Sequence, residues 1–270
     1  MKAFMNHLAF EFGTGVRNKN LLLMNYLFPL GFYLLMGFIM PAINQPFRET
    51  LIPAMVVFAI LSAAMLGIPD PLVNARENGI FRSYKINGVP ALSILVIPVI
   101  TTTLHLLIIS FIITMSAPLL FAVTYPVNLS GFILTFIAMA MASCGTAVLI
   151  GVVASSSRMT VLWSQLIFVP SMLLGGVMIP YSMLPGAAGK ISQILPATHA
   201  MNAFRGLAMG LQADFSAWGS IIILVLTGIF GFGLALFLFS WDSRNTRRRG
   251  PAWLAFLVLL PSIAGMFFLG

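Results

Sequence analysis

The chain has 270 residues, of which 60% are hydrophobic and only 7% charged, with a mean hydropathy of +1.03 and a formal net charge of +8. A water-soluble fold of this length cannot hide that much apolar surface, so the bilayer is the solvent for most of it. The one cysteine, Cys144, excludes an intrachain disulfide and a thiolate zinc cluster.

In residues 1–20, Phe4, Leu8 and Phe12 recur four apart and share one helical face, a pattern that suits an interfacial helix. The run Leu21–Met40 has full span length and is followed by Pro41-Ala42-Ile43-Asn44 rather than a small-residue cleavage site, so it reads as a retained first span. Further spans are expected at Leu51–Ile68, Ala91–Phe121, Leu129–Ala154, Val161–Ile179 and Trp218–Ser240. These runs are apolar on every face, unlike the alternating pattern of barrel strands, and predict an all-α polytopic bundle. The third and fourth exceed the roughly 20 residues a bilayer core requires, so tilt, projection or a break is expected, with Pro98 and Pro118 as kink positions. After Arg247-Arg248-Arg249 comes a last apolar stretch, Trp253–Leu269, interrupted by Pro261. It reads either as a seventh span or as an interfacial or re-entrant hairpin.

A cytoplasmic N-terminus puts eleven of the fourteen Lys and Arg residues on the inner side and leaves Arg48, Lys190 and Arg205 outside, in line with the positive-inside tendency. The basic residues are scattered over short loops that face lipid headgroups and form no stripe for nucleic acid. All six acidic residues, Glu11, Glu49, Asp70, Glu77, Asp214 and Asp242, fall at span ends or in loops. Ion-coupled carriers keep an ionisable group inside the membrane, so the pattern argues against a secondary transporter. A phosphate-binding loop is also missing: Gly186-Ala187-Ala188-Gly189-Lys190-Ile191 has the wrong spacing and ends in Ile. Energy for uphill transport must then enter through a cytoplasmic partner.

The receiving segment is the loop of residues 70–90. A brief helix there presents Phe81 and Tyr84 to a groove while Arg76, Glu77 and Arg82 set the register; the alternative is a solvated turn whose basic residues only anchor topology. Residues 180–214 are too polar for a span and too apolar for a free loop, so they are expected to re-enter the outer leaflet as two short helices meeting near Pro196. They form either an outer gate or a structural cap. Arg205 there reads as an anion contact or as a local partner of Asp214. Thr101, Thr102 and His105 in the third span either line the path or hydrogen-bond neighbouring helices. No carboxylate pair, metal-ligand set or nucleophile with a base supports an enzyme.

Three stretches together resemble the membrane subunit of ABC type-2 exporters. They are Arg76-Glu77-Asn78-Gly79 with Pro90 ahead of the third span, Gly175-Gly176-Val177-Met178-Ile179-Pro180-Tyr181-Ser182-Met183-Leu184-Pro185, and Leu195-Pro196-Ala197-Thr198-His199-Ala200-Met201-Asn202-Ala203-Phe204-Arg205-Gly206-Leu207. The resemblance covers residues 1–240 as the transmembrane domain and leaves 241–270 as a basic linker with an extra apolar segment. It implies a coupling helix carrying Arg76, Glu77, Gly79, Phe81, Arg82 and Tyr84, and an outer gate around Pro180, Pro185, Pro196, His199 and Arg205. It also implies a second copy or a homologous permease, and a cytoplasmic ABC ATPase that binds ATP and Mg while this chain holds no cofactor. The expected location is a plasma membrane, the bacterial inner membrane. A path without a charged wall suits a hydrophobic or amphipathic cargo, such as a drug-like molecule or a lipid-linked glycan. A passive channel or a membrane anchor for another complex is the competing reading.

Overall fold

The computed structural model describes the backbone of residues 2–242 and 250–268, with side chains from residue 8 onward except those of 10 and 15. Arg244 and Arg247–Arg249, four of the eleven basic residues expected on the inner side, lie outside the described residues, as do the side chains of Lys2 and Phe4.

Helix α1, Lys2–Arg17, packs on the third span. Asn18 stops it and caps the next helix, its Oδ1 accepting from the amides of Asn20 (3.0 Å) and Leu21 (3.4 Å). Helix α2, Lys19–Leu22, then passes through a π turn, Leu23–Leu27, into α3, Phe28–Ile43. The π turn carries the buried Asn25. Helix α4, Phe47–Gly67, is the centre of the bundle, touched by α3 and by the helices Ala91–Phe121, Leu129–Val153 and Ser157–Leu174; its stretch from Leu51 to Ala64 is buried throughout. Two short helices follow, α5 (Pro69–Glu77) and α6 (Ile80–Ile86), and then α7, Ala91–Phe121, which stays one helix through Pro98 and Pro118.

Helix α8, Leu129–Val153, lies against the last long helix, α12, Ala217–Leu238, at near backbone contact. A Cβ on Gly145 would sit 2.7 Å from the Gly228 carbonyl oxygen, and one on Gly231 would sit 2.8 Å from the Gly145 carbonyl carbon. Lipid gives apolar side chains no reason to leave it, so close backbone approach through small residues supplies the attraction. Helix α9, Ser157–Leu174, turns Thr160, Ser164 and Ser171 inward and exposes Val161, Leu162, Leu166, Val169 and Leu173. It is inverted relative to a soluble helix, as a bilayer solvent demands.

Among the described residues, five helices are long and apolar enough to cross a membrane: Lys19–Ile43, Phe47–Glu77, Ala91–Phe121, Leu129–Val153 and Ala217–Leu238. The chain is thus a multi-pass helical membrane protein. The fifth expected span, 161–179, is corrected to α9, because Gly176 at φ +82° ends the helix where the apolar run continues. Three short helices, the 3-10 turn Tyr181–Met183, α10 (Gly186–Ser192) and α11 (Pro196–Ala203), then lead through a π turn, Phe204–Ala208, toward α12.

The C-terminal stretch is a 3-10 helix, Ala252–Leu259, continuous with α13, Leu260–Phe268. Its rises of about 2.0 and 1.5 Å per residue give a length of about 30 Å, close to the thickness of a bilayer core. It starts beside Leu238, where a Cβ on Gly250 would lie 3.3 Å from that side chain, and reaches Ile223 and His199 at Gly265. The segment therefore runs back along α12 in one direction and forms no hairpin.

Candidate functional site

Helices α5 and α6 form an elbow at one end of the bundle. Pro69 stands at the first turn of α5, where its missing N–H costs nothing. Gly79 at φ +74° makes the bend. The elbow is fixed at three places. Asn74 accepts from the Ser157 hydroxyl at the start of α9 (3.1 Å) and donates to Asp70 (2.8 Å). Arg76, buried, donates to the main-chain oxygens of Val152 (2.5 Å) and Ala154 at the C-terminal end of α8. Those carbonyls have no partner within the helix, and a guanidinium suits the negative end of the dipole. Arg82 pairs with Asp242 just past α12.

These positions revise part of the sequence reading. Arg76 is buried and ties α5 to α8. Phe81 is buried against Phe239, ring centroids 5.5 Å apart, so it anchors α6 instead of being offered to a groove. Tyr84 is half-buried, and burial together with the nearby Glu11 charge holds its phenol pKa above the ordinary value. Exposed side chains of the elbow include Glu77, Arg82, Lys85, Ile80 and Ile86, the last 81% exposed. Ile80 and Ile86 were not singled out in the sequence, because a seven-residue helix does not reveal which face the bundle covers.

Between α1, the π turn at 23–27, the elbow and α7 lies a cavity of about 120 Å³. Its polar lining is Glu11, Asn25, Tyr84, Thr101, Thr102 and His105. The three candidate pathway residues are thus brought together with Tyr84 of the elbow. Thr101 also donates to the Ile97 and Pro98 carbonyls, both at 3.0 Å. His105 is buried, stacked on Phe12 at 4.3 Å, with Nδ1 2.6 Å from the Tyr26 hydroxyl. It holds α1 against α7 as much as it borders any space.

At the opposite end, α10 and α11 meet at Pro196, which opens α11. Pro180 precedes the 3-10 turn and Pro185 precedes α10. His199 is fully buried; its Nε2–H donates to the Gln193 carbonyl at 2.8 Å and its ring packs on Phe215. Arg205 donates to the Gln212 carbonyl at 3.1 Å, and its Nε lies 3.7 Å from an Asp214 oxygen. Asn202 organises this region although the sequence reading did not weigh it. Its amide donates to the Phe215 carbonyl (2.9 Å) and the Ser220 hydroxyl (3.0 Å), and its oxygen accepts from the amides of Asp214 (2.8 Å) and Phe215 (3.2 Å). All of its bonding groups are used, so the loop before α12 is pinned to α11.

The ABC-2 type transporter family model matches residues 7–209, which takes in the elbow, the cavity and most of the 180–214 region. No curated protein and no solved structure matches the chain.

Proposed function

The chain belongs to the ABC-2 type transporter family, and is a permease subunit of an ABC-type transporter; on that premise we propose that it serves an exporter driven by a separate cytoplasmic ATPase. The cargo in this reading is hydrophobic or amphipathic, a drug-like molecule or a lipid-linked glycan, and leaves the cytoplasm between two copies of the chain or between it and a homologue. The membrane is a plasma membrane, the bacterial inner membrane, with the N-terminus and the elbow on the cytoplasmic side. ATP and Mg are bound by the ATPase.

One observation carries the reading: the elbow exposes Ile80 and Ile86 while its buried face is tied to α8, to α9 and, through Phe81 on Phe239, to the end of α12. A partner that grips the exposed face moves α6, and these ties deliver the movement to three helices, α8, α9 and α12. Glu49, Asp70, Glu77, Asp214 and Asp242 lie at helix ends or in loops and Glu11 lies on α1, so no carboxylate stands in the middle of a long apolar helix to use an ion gradient. Residues Pro180, Pro185, Pro196, His199 and Arg205 act as an outer gate, held shut by the Asn202 clamp and opened from the elbow.

The test is purification of the tagged chain from its host membranes, followed by ATP hydrolysis and ATP-dependent export in sealed vesicles. A nucleotide-binding protein should co-purify, and its hydrolysis should rise in the presence of the chain. Recovery without such a protein would favour the passive channel or anchor.

A further inference from the structure

Residues 252–268 lie beyond the stretch matched by the family model. They grip the bundle with a narrow face. Ala255, Val258, Ser262 and Gly265 recur three or four apart and turn inward, while Trp253, Phe256, Leu260, Phe267 and Phe268 stay exposed. One end lies against Phe237 and Leu238, and Phe256 meets Trp163 of α9 with ring centroids 5.7 Å apart. At the other end, a Cβ on Gly265 would overlap the Ile223 side chain and sit 3.5 Å from the His199 Cε1.

An eight-residue 3-10 helix is long for its kind, because its hydrogen bonds are poorer than those of an α-helix. Here Pro261 offers no N–H to the Leu257 carbonyl, which accepts from the Leu260 amide instead. Over eight residues the 3-10 form is about 4 Å longer than an α-helix and winds about 160° further. Both ends keep their contacts in this form alone, since rewinding as an α-helix draws Gly265 back and turns it off Ile223. The far end is also loosely held. Lipid is as apolar as the face it would replace, and docking secures no hydrogen bond at the His199 Nδ1, which has no partner among the described residues.

We propose that residues 252–268 are a detachable strap, which holds α11 and α12 together while Gly265 lies on Ile223 and His199 and frees the outer region when it lifts. The proposal rests on the gate reading of residues 180–214 and adds the element that controls it. Asn202 already joins α11 to the start of α12 through Ser220, so the strap closes over a unit that moves as one.

The experiment follows hydrogen exchange of the full chain in lipid nanodiscs, without nucleotide or partner. Gly265→Leu should speed exchange in residues 196–216 about tenfold and leave α8 at the wild-type rate. Ala264→Leu, which puts the same bulk on the exposed side, should change neither. Oxidising Ile223→Cys/Gly265→Cys to a disulfide should slow exchange in 196–216 and reduction should reverse it, within one folded protein. In sealed vesicles with the ATPase present, ATP-dependent export should stop when that disulfide forms and resume on reduction. Unchanged exchange in folded Gly265→Leu overturns the strap. Exchange that ignores the redox state of the cysteine pair overturns it too, even where Gly265→Leu does not fold, as does undiminished export by the fully oxidised pair. None of these results touches the permease reading, which fails only if no ATPase couples to the chain.

Discussion

Arg76 reaches from α5 to the main-chain oxygens of Val152 and Ala154, so the guanidinium of the elbow closes the end of a helix that begins on the far side of the membrane. The contact makes α5 and α8 one mechanical unit. It also explains why a charge is buried at the edge of an apolar bundle: otherwise unpaired carbonyls receive it.

Removing that guanidinium leaves those carbonyls unpaired. Arg76→Met should destabilise the chain by about 2–3 kcal/mol, since hydrogen bonds to a charged donor are worth about 1.5–3 kcal/mol each and part of the loss is recovered by the apolar stem. Thermal unfolding in detergent measures it. A melting curve like the wild type would show that the contact is not kept in the working protein.

Charge at the exposed part of the elbow should act on coupling, not on folding. The Arg82–Asp242 pair is largely solvated, and Glu77 is exposed, so reversal should cost under about 1 kcal/mol of stability. Arg82→Glu and Glu77→Lys should nevertheless separate ATP hydrolysis from transport. Combining Arg82→Glu with Asp242→Arg should restore coupling to the first. Normal transport by both single variants would withdraw the docking assignment.

Asn202 holds the loop that enters α12 through four hydrogen bonds. Asn202→Ala should cost about 2–4 kcal/mol by leaving buried main-chain groups of Asp214 and Phe215 unpaired. Hydrogen exchange should rise in residues 209–216 before it rises anywhere in α8. Unchanged protection there would remove the clamp from the account.

At the crossing of α8 and α12, Gly145→Leu should prevent assembly of the bundle, because even a Cβ meets the Gly228 backbone at 2.7 Å. Loss of monodisperse protein on gel filtration is the expected result. Gly233, which has open space around its Cα, should accept alanine without effect.

Much of this architecture is legible in the sequence because the bilayer imposes a simple rule on composition. The runs that became α4, α7, α8 and α12 are long and apolar on every face, and no local detail competes with that signal. The end of α9 was missed because apolar residues continue to Ile179 while Gly176 adopts a left-handed backbone, so hydrophobicity and helix geometry part company there. The elbow was visible as a mixed-charge loop. Which of its aromatics face inward was not, since Phe81 is settled by Phe239 and Arg76 by Val152, both far along the chain. Asn202 left no trace beyond its place in a family-like stretch, because its four bonds go to a loop whose path only the fold defines.

The native Cys144 is fully buried and is the single cysteine, so a thiol introduced at the exposed Ile86 reports alone. Ile86→Cys should cross-link through a maleimide reagent to a co-purified nucleotide-binding protein, and ATP should change the yield. Equal labelling of that thiol by a soluble maleimide with and without ATP, and no cross-link to any such protein, would contradict the claim that force enters the membrane at α6.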